Sequence, residues 1–293
     1  MADNSRRISI ITLPLRRRSH TESCITRLYE NTHIPFELIV VSQEADEDTK
    51  QWLTSLRLKS GPFHTIYNVR NVGPAIGRNQ GLRLATGKYI IFLDNDALVT
   101  EGWLEPLIQA IEKNSSLGAV GPLVLTSEGR VQYCSRYTVE REQEGKRVSV
   151  GLQFTHILNE HSVEIPKQCE VPWYPTTCLL VRREAMDKIG GFDENFALIE
   201  EDKDICLSMR RNGYRISFNS RARVIHSAGH SIDYRSFRNN YKIGLRDIKY
   251  FEEKWQCKVL SECSPNYLQA LGASGMKSDE QALFSIFMRV VPS

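Results

Sequence analysis

The sequence has little of what would mark a secreted, membrane-spanning or nucleic-acid-binding protein. Its seven cysteines form no CxxC pair and no metal-ligand spacing, which indicates neither a disulfide framework nor a zinc site and favours reduced thiols in a cytoplasmic protein. The net charge of +3 is too small to indicate a nucleic-acid partner. The apolar run 8–15 is too short to span a membrane, and no small-residue cleavage site follows it. We therefore expect no signal peptide and no transmembrane helix.

What the chain does have is an alternation of short apolar runs and amphipathic segments through its first half. With 293 residues, of which 41% are hydrophobic, it is long enough for a large α/β domain with an ample core. The alternation predicts a parallel sheet with right-handed crossovers. The predicted strands are residues 8–13, 36–41, 64–68, 119–125 and a run that ends at Asp94. The predicted helices are residues 19–31, 46–59, 75–85 and 103–112.

The second half of the chain is less regular. Residues 126–172 are polar and charged, and we expect an insertion or a hairpin-bearing connection there. Order then returns in a strand, two helices and a short strand, at residues 178–181, 183–189, 202–211 and 224–230. The rest of the chain is predicted to be helical. These changes of pattern divide the chain into two halves of one domain and a helical C-terminal extension, namely residues 1–125, 126–231 and 232–293.

Two aspartates separated by one residue end the strand that precedes residue 94. Asp94 and Asp96 follow a run of β-branched and aromatic residues, and in open α/β sheets ligands bind beyond the carboxyl ends of the strands. Carboxylates at this place suit a hard divalent cation that is shared with a substrate phosphate. The alternative is an Asp/Asn turn after a strand, because both residues favour turns.

The other predicted strand ends bring more polar groups to the same edge of a parallel sheet. The segments that converge there are Thr12-Leu13-Pro14, Ser42-Gln43-Glu44, residues 68–71 and Asp94-Asn95-Asp96. Together they describe a site for a nucleoside diphosphate held through a divalent ion. Gly73 lets the backbone turn tightly or approach a ligand, with loop closure as the alternative. Arg16 and Arg78 belong to a set of arginines of which one or two are expected to neutralise a diphosphate.

Two later segments carry further polar side chains. Glu201 and Asp202 open a predicted helix, where acidic residues are also favoured by the helix dipole alone. His226 lies in a short predicted strand, and a lone histidine is more often structural than a metal ligand. Each segment by itself is a weak signal.

Taken together and in this order, the motifs resemble family 2 glycosyltransferases of the GT-A fold. The resemblance covers residues 8–231 and rests on the number, order and spacing of the motifs. They include Asn71-Val72-Gly73, Asn79-Gln80-Gly81, Leu93-Asp94-Asn95-Asp96, Ile189-Gly190-Gly191-Phe192-Asp193-Glu194 and Glu201-Asp202-Lys203-Asp204 with Arg210 and Gly213. The implied fold is α/β, with a Rossmann-like, mostly parallel sheet flanked by helices. The chain departs from the family after the second strand, where many members have a nucleotide-contacting aspartate and Gln43 or Glu44 would substitute.

The resemblance implies an inverting transfer of a sugar from a nucleotide sugar to an acceptor hydroxyl by direct displacement, and the expected donor is a UDP-sugar. It assigns Asp96, together with Asp94 and His226, to a Mn²⁺ or Mg²⁺ ion that neutralises the leaving nucleoside diphosphate. Asp202 is the expected base, and Glu201 is the alternative. The expected donor contacts are Thr12, Leu13, Pro14, Arg16, Glu44, Asn71, Gly73, Arg78, Asp94 and Asn95.

The acceptor is expected to lie against the variable parts of the chain. Trp173 and Tyr174 can stack on a sugar ring near Thr177, with packing at the start of a strand as the alternative. A polysaccharide, a lipid-linked glycan or a small molecule would each be compatible. The apolar segment 282–291 favours core packing, with contact to a membrane surface or a second subunit as alternatives.

Two rival functions remain open at this point. A non-catalytic nucleotide- or glycan-binding module would keep the Asp-x-Asp motif and lose the base, and the presence of Glu201 and Asp202 argues against it. A sugar nucleotidyltransferase shares the α/β architecture, but it usually opens with a glycine-rich phosphate loop. Leu13-Pro14-Leu15 at the end of the first strand contains no glycine, which argues against this second rival.

Overall fold

Helices and strands alternate along the first half of the chain, as the hydrophobic pattern predicts. The structure, a computed structural model, describes residues 8–15, 18–56, 61–133, 137–143, 146–154, 158–159, 165–226, 237–256 and 284–290. The helices in these ranges are α1 (Arg18–Asn31), α2 (Glu47–Ser55), α3 (Pro74–Leu84), α4 (Glu105–Lys113), α5 (Arg183–Ile189), α6 (Glu201–Arg211) and α7 (Phe237–Trp255). The strands are β1 (Ile8–Thr12), β2 (Phe36–Gln43), β3 (Phe63–Asn68), β4 (Tyr89–Leu93), β5 (Ala97–Val99), β6 (Leu117–Leu125), β7 (Arg130–Tyr133), β8 (Tyr137–Gln143), β9 (Lys146–Phe154), β10 (Leu158–Asn159), β11 (Gln168–Val171), β12 (Cys178–Arg182), β13 (Arg215–His226) and β14 (Phe284–Val290).

One large sheet organises the molecule, and its main path runs β10-β7-β6-β12-β4-β1-β2-β3. Strands β4, β1, β2 and β3 are parallel, whereas β12 lies antiparallel between β4 and β6. Cys178 pairs with Leu93, so β12 starts at the edge where β4 ends. The connection from β6 therefore returns at that same edge without a crossover, which makes the strand antiparallel. The α/β class is confirmed, while the mostly parallel sheet is correct for the β4-β1-β2-β3 half and the remainder is mixed.

Both faces of the sheet are covered, which explains why the parallel strands are mostly apolar and do not alternate strictly between apolar and polar residues. Alternate residues of the parallel strands enter two separate clusters of buried side chains. One cluster takes Ile10, Leu38 and Ile91, and the other takes Ile11, Ile39 and Phe92. The carboxyl ends of these strands are thereby held at one edge by packing on both sides.

Local signals set several helix ends. Asp46 lies outside α2 as its N-cap, because its side chain accepts the backbone N–H of Thr49 at 2.8 Å. Pro74 is the first residue of α3, where its missing N–H is no loss. Gly190 ends α5 with φ at 79°, a left-handed conformation that favours glycine.

The second half of the chain corrects two predictions. β13 is a strand of 12 residues, not a short one, and a register shift between Asn219 and Arg223 interrupts its apolar pattern. β8 and β9 form a hairpin within the polar connection, as expected, and β14 pairs with β9 as a third strand. The C-terminal extension is therefore helical in α7, whereas Phe284–Val290 is a strand. The spacing of Phe284, Ile286 and Met288 by two residues is typical of a strand, which the prediction overlooked.

The structure also bears on the expectations for transmembrane helices, disulfides and domain boundaries. In the ranges that the structure describes, no helix is both long and apolar enough to cross a membrane. Cys24, Cys169, Cys178 and Cys206 are free thiols. Strands from both predicted halves of the domain enter the same sheet, and the exact domain boundaries stay a prediction.

Candidate active site

Two carboxylates and one imidazole meet at the carboxyl end of β4. Asp94, Asp96 and His226 each place one ligand atom within 4.8 Å of the other two. The Nε2 atom of His226 lies 3.1 Å from Oδ1 of Asp96. Tertiary pairing explains the meeting, because β13 runs antiparallel to β5 and sets His226 opposite Ala97. The structure thus brings together the three residues predicted as metal ligands.

The imidazole of His226 is oriented from its other side by Gln132. Nδ1 of His226 lies 2.9 Å from Oε1 of Gln132, a side chain on β7 that is 2% exposed. An amide oxygen accepts from Nδ1–H, so Nε2 is directed at the two aspartates and is available to a metal. Burial lowers the pKa of His226, but the hydrogen bond to Asp96 and the two negative charges outweigh it and raise that pKa. The sequence carried no signal for Gln132, because a single glutamine in a polar stretch does not reveal its partner.

The chemistry of the three side chains fits a divalent metal ion. Asp94 and Asp96 offer hard carboxylate oxygens, the ligands that Mg²⁺ and Mn²⁺ prefer. His226 adds a nitrogen ligand, which favours a transition metal over Mg²⁺. Asp94 is half-buried, whereas Asp96 and His226 are buried, so the cluster is open toward solvent on the Asp94 side.

One buried guanidinium joins this cluster to the start of α6. Arg78 is 7% exposed, and its Nη1 donates to Oε1 of Glu201 at 2.7 Å while its Nη2 donates to Oδ1 of Asp94 at 3.4 Å. The ring of Phe192 lies 5.6 Å from the guanidinium carbon. Arg78 was predicted to contact the donor diphosphate. Its hydrogen bonds are with two carboxylates, so it bridges the cluster of Asp94, Asp96 and His226 to the start of α6, and a contact with the donor stays a prediction.

The two adjacent carboxylates at the start of α6 have different surroundings. The Glu201 side chain is 8% exposed and forms the buried pair with Arg78. Asp202 is half-buried, and its Oδ1 accepts the backbone N–H of Lys203 at 2.7 Å. Burial raises the pKa of both carboxyl groups, that of Glu201 to about 7 and that of Asp202 to about 6, and at Glu201 the positive charge of Arg78 opposes the rise. The two carboxylates therefore differ in contact and exposure: Glu201 is tied to Arg78, and Asp202 is the more exposed of the two.

The residue before Glu201 and Asp202 has a left-handed backbone conformation. Glu200 has φ at 73°, a conformation that costs energy in a residue other than glycine. Its carboxylate accepts a hydrogen bond from Nζ of Lys203 at 2.7 Å, and both side chains are buried. The same ammonium lies 5.2 Å from the centre of the Trp173 ring. The turn into α6 is thus held by a buried ion pair that packs under an aromatic ring.

Tyr174 does not have the predicted role in acceptor binding. Its side chain is fully buried, its hydroxyl donates to the carbonyl oxygen of Pro122, and its ring occupies the space where a Cβ at Gly121 would stand. The ring packs between sheet and helix, so it offers no face to a sugar. Trp173 is 7% exposed and Thr177 5% exposed. The carbonyl oxygen of Thr177 accepts the N–H of Asp94 at 2.9 Å, which places this residue beside the metal cluster, and the acceptor roles of Trp173 and Thr177 stay predictions.

The ends of β1 and β2 adjoin at the same edge. Thr12 ends β1 and is 1% exposed, and Leu13 packs against the core cluster that covers one face of the sheet. The carbonyl oxygen of Pro14 accepts the N–H of Gln43 at 2.8 Å. The Gln43 side chain is 2% exposed, and its Oε1 accepts the N–H of Val72 at 3.1 Å. Gln43 therefore supports the glycine loop, which leaves Glu44 as the candidate for the nucleotide contact.

The glycine loop is held from both sides. Oε1 of Glu44 accepts the N–H of Asn71 at 3.1 Å, and Oδ1 of Asn71 accepts the N–H of Gly73 at 2.9 Å. Gly73 has φ at 86°, and a Cβ there would stand 2.5 Å from the carbonyl oxygen of Ala197. Glycine is thus required by the turn and by the neighbouring backbone, in agreement with the alternative of loop closure.

Asn95 and Arg16 are the two remaining positions predicted to contact the donor. The side-chain amide of Asn95 donates to the hydroxyl of Thr21 on α1 at 3.2 Å, so its side chain anchors the turn to that helix. Arg16 lies outside the described residues. The donor roles of both residues stay predictions.

Comparison with known proteins identifies a sequence family and a fold. A family model described as "Glycosyl transferase family 2" matches residues 9–190. The O-antigen biosynthesis protein RfbC of Myxococcus xanthus is 28% identical over 232 residues, which cover 75% of this chain and 17% of that protein. The N-acetylglucosaminyl-diphospho-decaprenol L-rhamnosyltransferase of Mycobacterium tuberculosis is 28% identical over 148 residues, which cover 49% of this chain and 48% of that protein. The chain thus spans about half, or less, of the length of these relatives.

A solved structure supports the fold. The structure of GalNAc-T7 with UDP, GalNAc and Mn²⁺ superimposes with a TM-score of 0.60 at 14% identity, covering 96% of this chain and 54% of that chain. At this identity the likeness shows the fold alone, and the expected GT-A fold is confirmed.

Proposed function

Because this chain belongs to glycosyl transferase family 2, we propose that it transfers a sugar from a nucleotide sugar to a hydroxyl group of an acceptor. The observation that carries the proposal is the Arg78 bridge, which joins Asp94 to Glu201. Through this bridge, the carboxylates suited to a metal–diphosphate complex lie in the same site as a carboxylate suited to accept a proton. Both are required when a hydroxyl displaces a nucleoside diphosphate.

The proposed reaction is a single displacement with inversion at the anomeric carbon. The acceptor oxygen forms a bond to that carbon while the bond between the carbon and the diphosphate oxygen breaks, and the hydroxyl proton passes to the carboxylate of Asp202. We choose Asp202 because it is half-buried, whereas Glu201 is buried and paired with Arg78. Glu201 is engaged by Arg78, and taking up a proton there would leave the buried guanidinium with a single, longer carboxylate contact.

Asp94, Asp96 and His226 are the residues proposed to hold the metal ion, which when bound would neutralise charge on the leaving nucleoside diphosphate. Mn²⁺ is proposed in preference to Mg²⁺ because His226 supplies a nitrogen ligand. Gln132 keeps the ligating nitrogen of His226 directed into the cluster.

The donor and acceptor are proposed from the relatives and from the site. UDP is present in the similar GalNAc-T7 structure, and we propose a UDP-linked sugar as donor. The printed names of the two relatives concern O-antigen biosynthesis and a diphospho-decaprenol-linked sugar. We therefore propose a glycan carried on a lipid diphosphate as acceptor, with Trp173 and Thr177 as candidate contacts. The free thiols support a cytoplasmic location, and such an acceptor would bring the enzyme to a membrane surface.

The test is a panel of nucleotide sugars in the presence of Mn²⁺, with released nucleoside diphosphate as the readout. A polyprenyl diphosphate-linked sugar is present in one arm and omitted in the other. Asp96→Ala is run in parallel, and Asp187→Ala, an exposed aspartate on α5 outside the site, is the matched control. We expect release from one donor that is lost in Asp96→Ala and retained in Asp187→Ala. Release that survives both Asp96→Ala and chelation of the metal would contradict the metal site, and no release in either arm would favour a binding module.

A further inference from the structure

Helix α7 places a fully buried carboxylate against the segment that leads into α6. Asp247 is 0% exposed. Its Oδ2 accepts three successive backbone N–H groups, from Ala197 at 3.0 Å, Leu198 at 2.7 Å and Ile199 at 3.1 Å. Successive amides that converge on one point form an anion-binding nest. Here the chain fills the nest with its own side chain.

The second oxygen of this carboxylate pairs with the positive charge of Arg246. Oδ1 of Asp247 accepts hydrogen bonds from Nη2 of Arg246 at 2.8 Å and from its Nε at 3.3 Å. Nη2 of Arg246 also donates to the carbonyl oxygen of Asn195 at 3.2 Å. A buried carboxylate is tolerated when its charge and its lone pairs are satisfied in this way. The arrangement couples both ends of residues 195–199 to one turn of α7.

The segment that Asp247 holds lies between the two parts of the site. The carbonyl oxygen of Ala197 stands against Gly73 of the donor loop. At its other end, Ile199 is followed directly by the left-handed Glu200 and then by α6 with Asp202. Because the segment is irregular, its N–H groups have no partners in a helix or strand ladder, and they depend on an acceptor from elsewhere.

α7 itself is anchored on both sides of this segment. Nζ of Lys254 lies 2.6 Å from Asp193 and 2.8 Å from Asp204. The hydroxyl of Tyr250 donates to Asp193, and the indole N–H of Trp255 donates to Asp204, each at 2.8 Å. These contacts fix the helix before and after the segment, so Asp247 is presented to the three amides from a rigid support.

We propose that Asp247 is a positioning residue for sugar transfer: its carboxylate fixes the backbone of residues 197–199 and thereby the place of Asp202 beside the donor. The inference rests on the proposed function. Asp247 lies beyond residues 9–190 that the family model matches, and it touches neither the metal cluster nor Asp202 through any hydrogen bond in the structure. Its effect on the reaction is therefore through the backbone, and replacing it should move the base more than the donor site.

The test compares Asp247→Asn with Ile248→Ala in the full chain. Asparagine keeps the shape of the side chain and removes the charge that attracts the three amides. Ile248 is the next residue, 8% exposed and packed beside Phe251, so Ile248→Ala loosens the docking of α7 without touching the amides. For both variants and the wild type, kcat and the donor KM are measured on folded enzyme at a temperature well below each Tm. Binding of UDP with Mn²⁺ is measured separately by calorimetry.

We expect kcat of Asp247→Asn to fall on the order of 10- to 100-fold, because a base displaced by about 1 Å loses this much rate. Its affinity for UDP with Mn²⁺ should stay close to that of the wild type, and Ile248→Ala should lower Tm while keeping its kcat. A wild-type kcat in Asp247→Asn, or an equal loss in Ile248→Ala, would overturn the inference and leave the proposed function standing. If Asp247→Asn does not fold, Arg246→Gln is used in its place, because it removes the ion pair that holds the same carboxylate. Its kcat and its affinity for UDP with Mn²⁺ are then compared with the wild type in the same way. Failure of the wild type to release diphosphate from any donor would instead refute the proposed function.

Discussion

Replacing the adjacent carboxylates Glu201 and Asp202 by their amides should separate stability from catalysis. Glu201→Gln removes the charge that pairs with Arg78 at 2.7 Å, where both side chains are 8% exposed. The guanidinium then keeps only Asp94 as a carboxylate partner, at 3.4 Å and with a side chain that is 33% exposed. Breaking a buried pair from one side costs about 3–5 kcal/mol. Glutamine still offers an acceptor oxygen, so we expect about 3 kcal/mol, a fall in Tm of roughly 6 °C.

Asp202→Asn should have the opposite effect, a loss of kcat without a loss of Tm. Its carboxylate accepts the backbone N–H of Lys203 at 2.7 Å, and asparagine keeps an oxygen acceptor at that place. A neutral amide of the same shape should leave Tm unchanged or slightly higher. Loss of the proton acceptor should lower kcat on the order of 10²- to 10⁴-fold, while UDP with Mn²⁺ still binds.

The assay pairs thermal denaturation with diphosphate release at one temperature well below both Tm values. Asp187→Asn, on the exposed face of α5, is the control and should match the wild type in both readouts. Glu201→Gln should be the less stable variant and keep more of its turnover. The reasoning is refuted if Glu201→Gln abolishes turnover at wild-type Tm while Asp202→Asn retains it.

Three further predictions follow from single contacts. The rate of transfer should fall about tenfold per pH unit below about pH 6 in the wild type, because Asp202 is inactive when protonated and its pKa is raised to about 6; an acid limb near pH 4 in a pH–rate profile would argue against this base. Gln132→Leu should weaken Mn²⁺ binding about 10- to 100-fold by releasing His226, as measured by calorimetry against a Gln132→Glu variant that keeps an acceptor oxygen. Tyr174→Phe should lower the free energy of unfolding by about 1 kcal/mol, because it removes a buried hydrogen bond to β6, and leave the acceptor KM unchanged; a raised KM would restore its role in acceptor binding.

The first half of the fold could be predicted because its signals are local. The run that becomes β4 is apolar over its full length and those that become β1 and β2 over most of theirs, and this pattern depends only on neighbouring residues. The direction of β12 could not be predicted in the same way. Its residues fit a strand in either direction, and the antiparallel pairing follows from the edge at which a long connection returns. β14 was not predicted, because only the apolar composition of this segment was considered and not the alternation of its residues.

The candidate site divides along the same line. Asp94 and Asp96 were predictable because a pair of aspartates at a strand end lies at the ligand-binding edge wherever the strand is parallel. The role of Gln132 was not predictable, since it depends on one hydrogen bond to Nδ1 of His226, which is 94 positions away in the sequence. The burial of Tyr174 was not predictable either, because the sequence does not distinguish a buried tyrosine from an exposed one. Its packing against Gly121 is visible only in the structure.

What the sequence by itself determined is the order and type of the elements and the residues at their ends, because hydrophobic period and capping act between near neighbours. It therefore placed carboxylates after β4 and at the start of α6. The tertiary structure alone decided what each carboxylate can do. Arg78 reaches Glu201 across 123 positions of sequence, and this contact is the reason for proposing Asp202 and not Glu201 as the proton acceptor. Charge and solvation depend on distances in space, and these exist only once the sheet has brought its strand ends together.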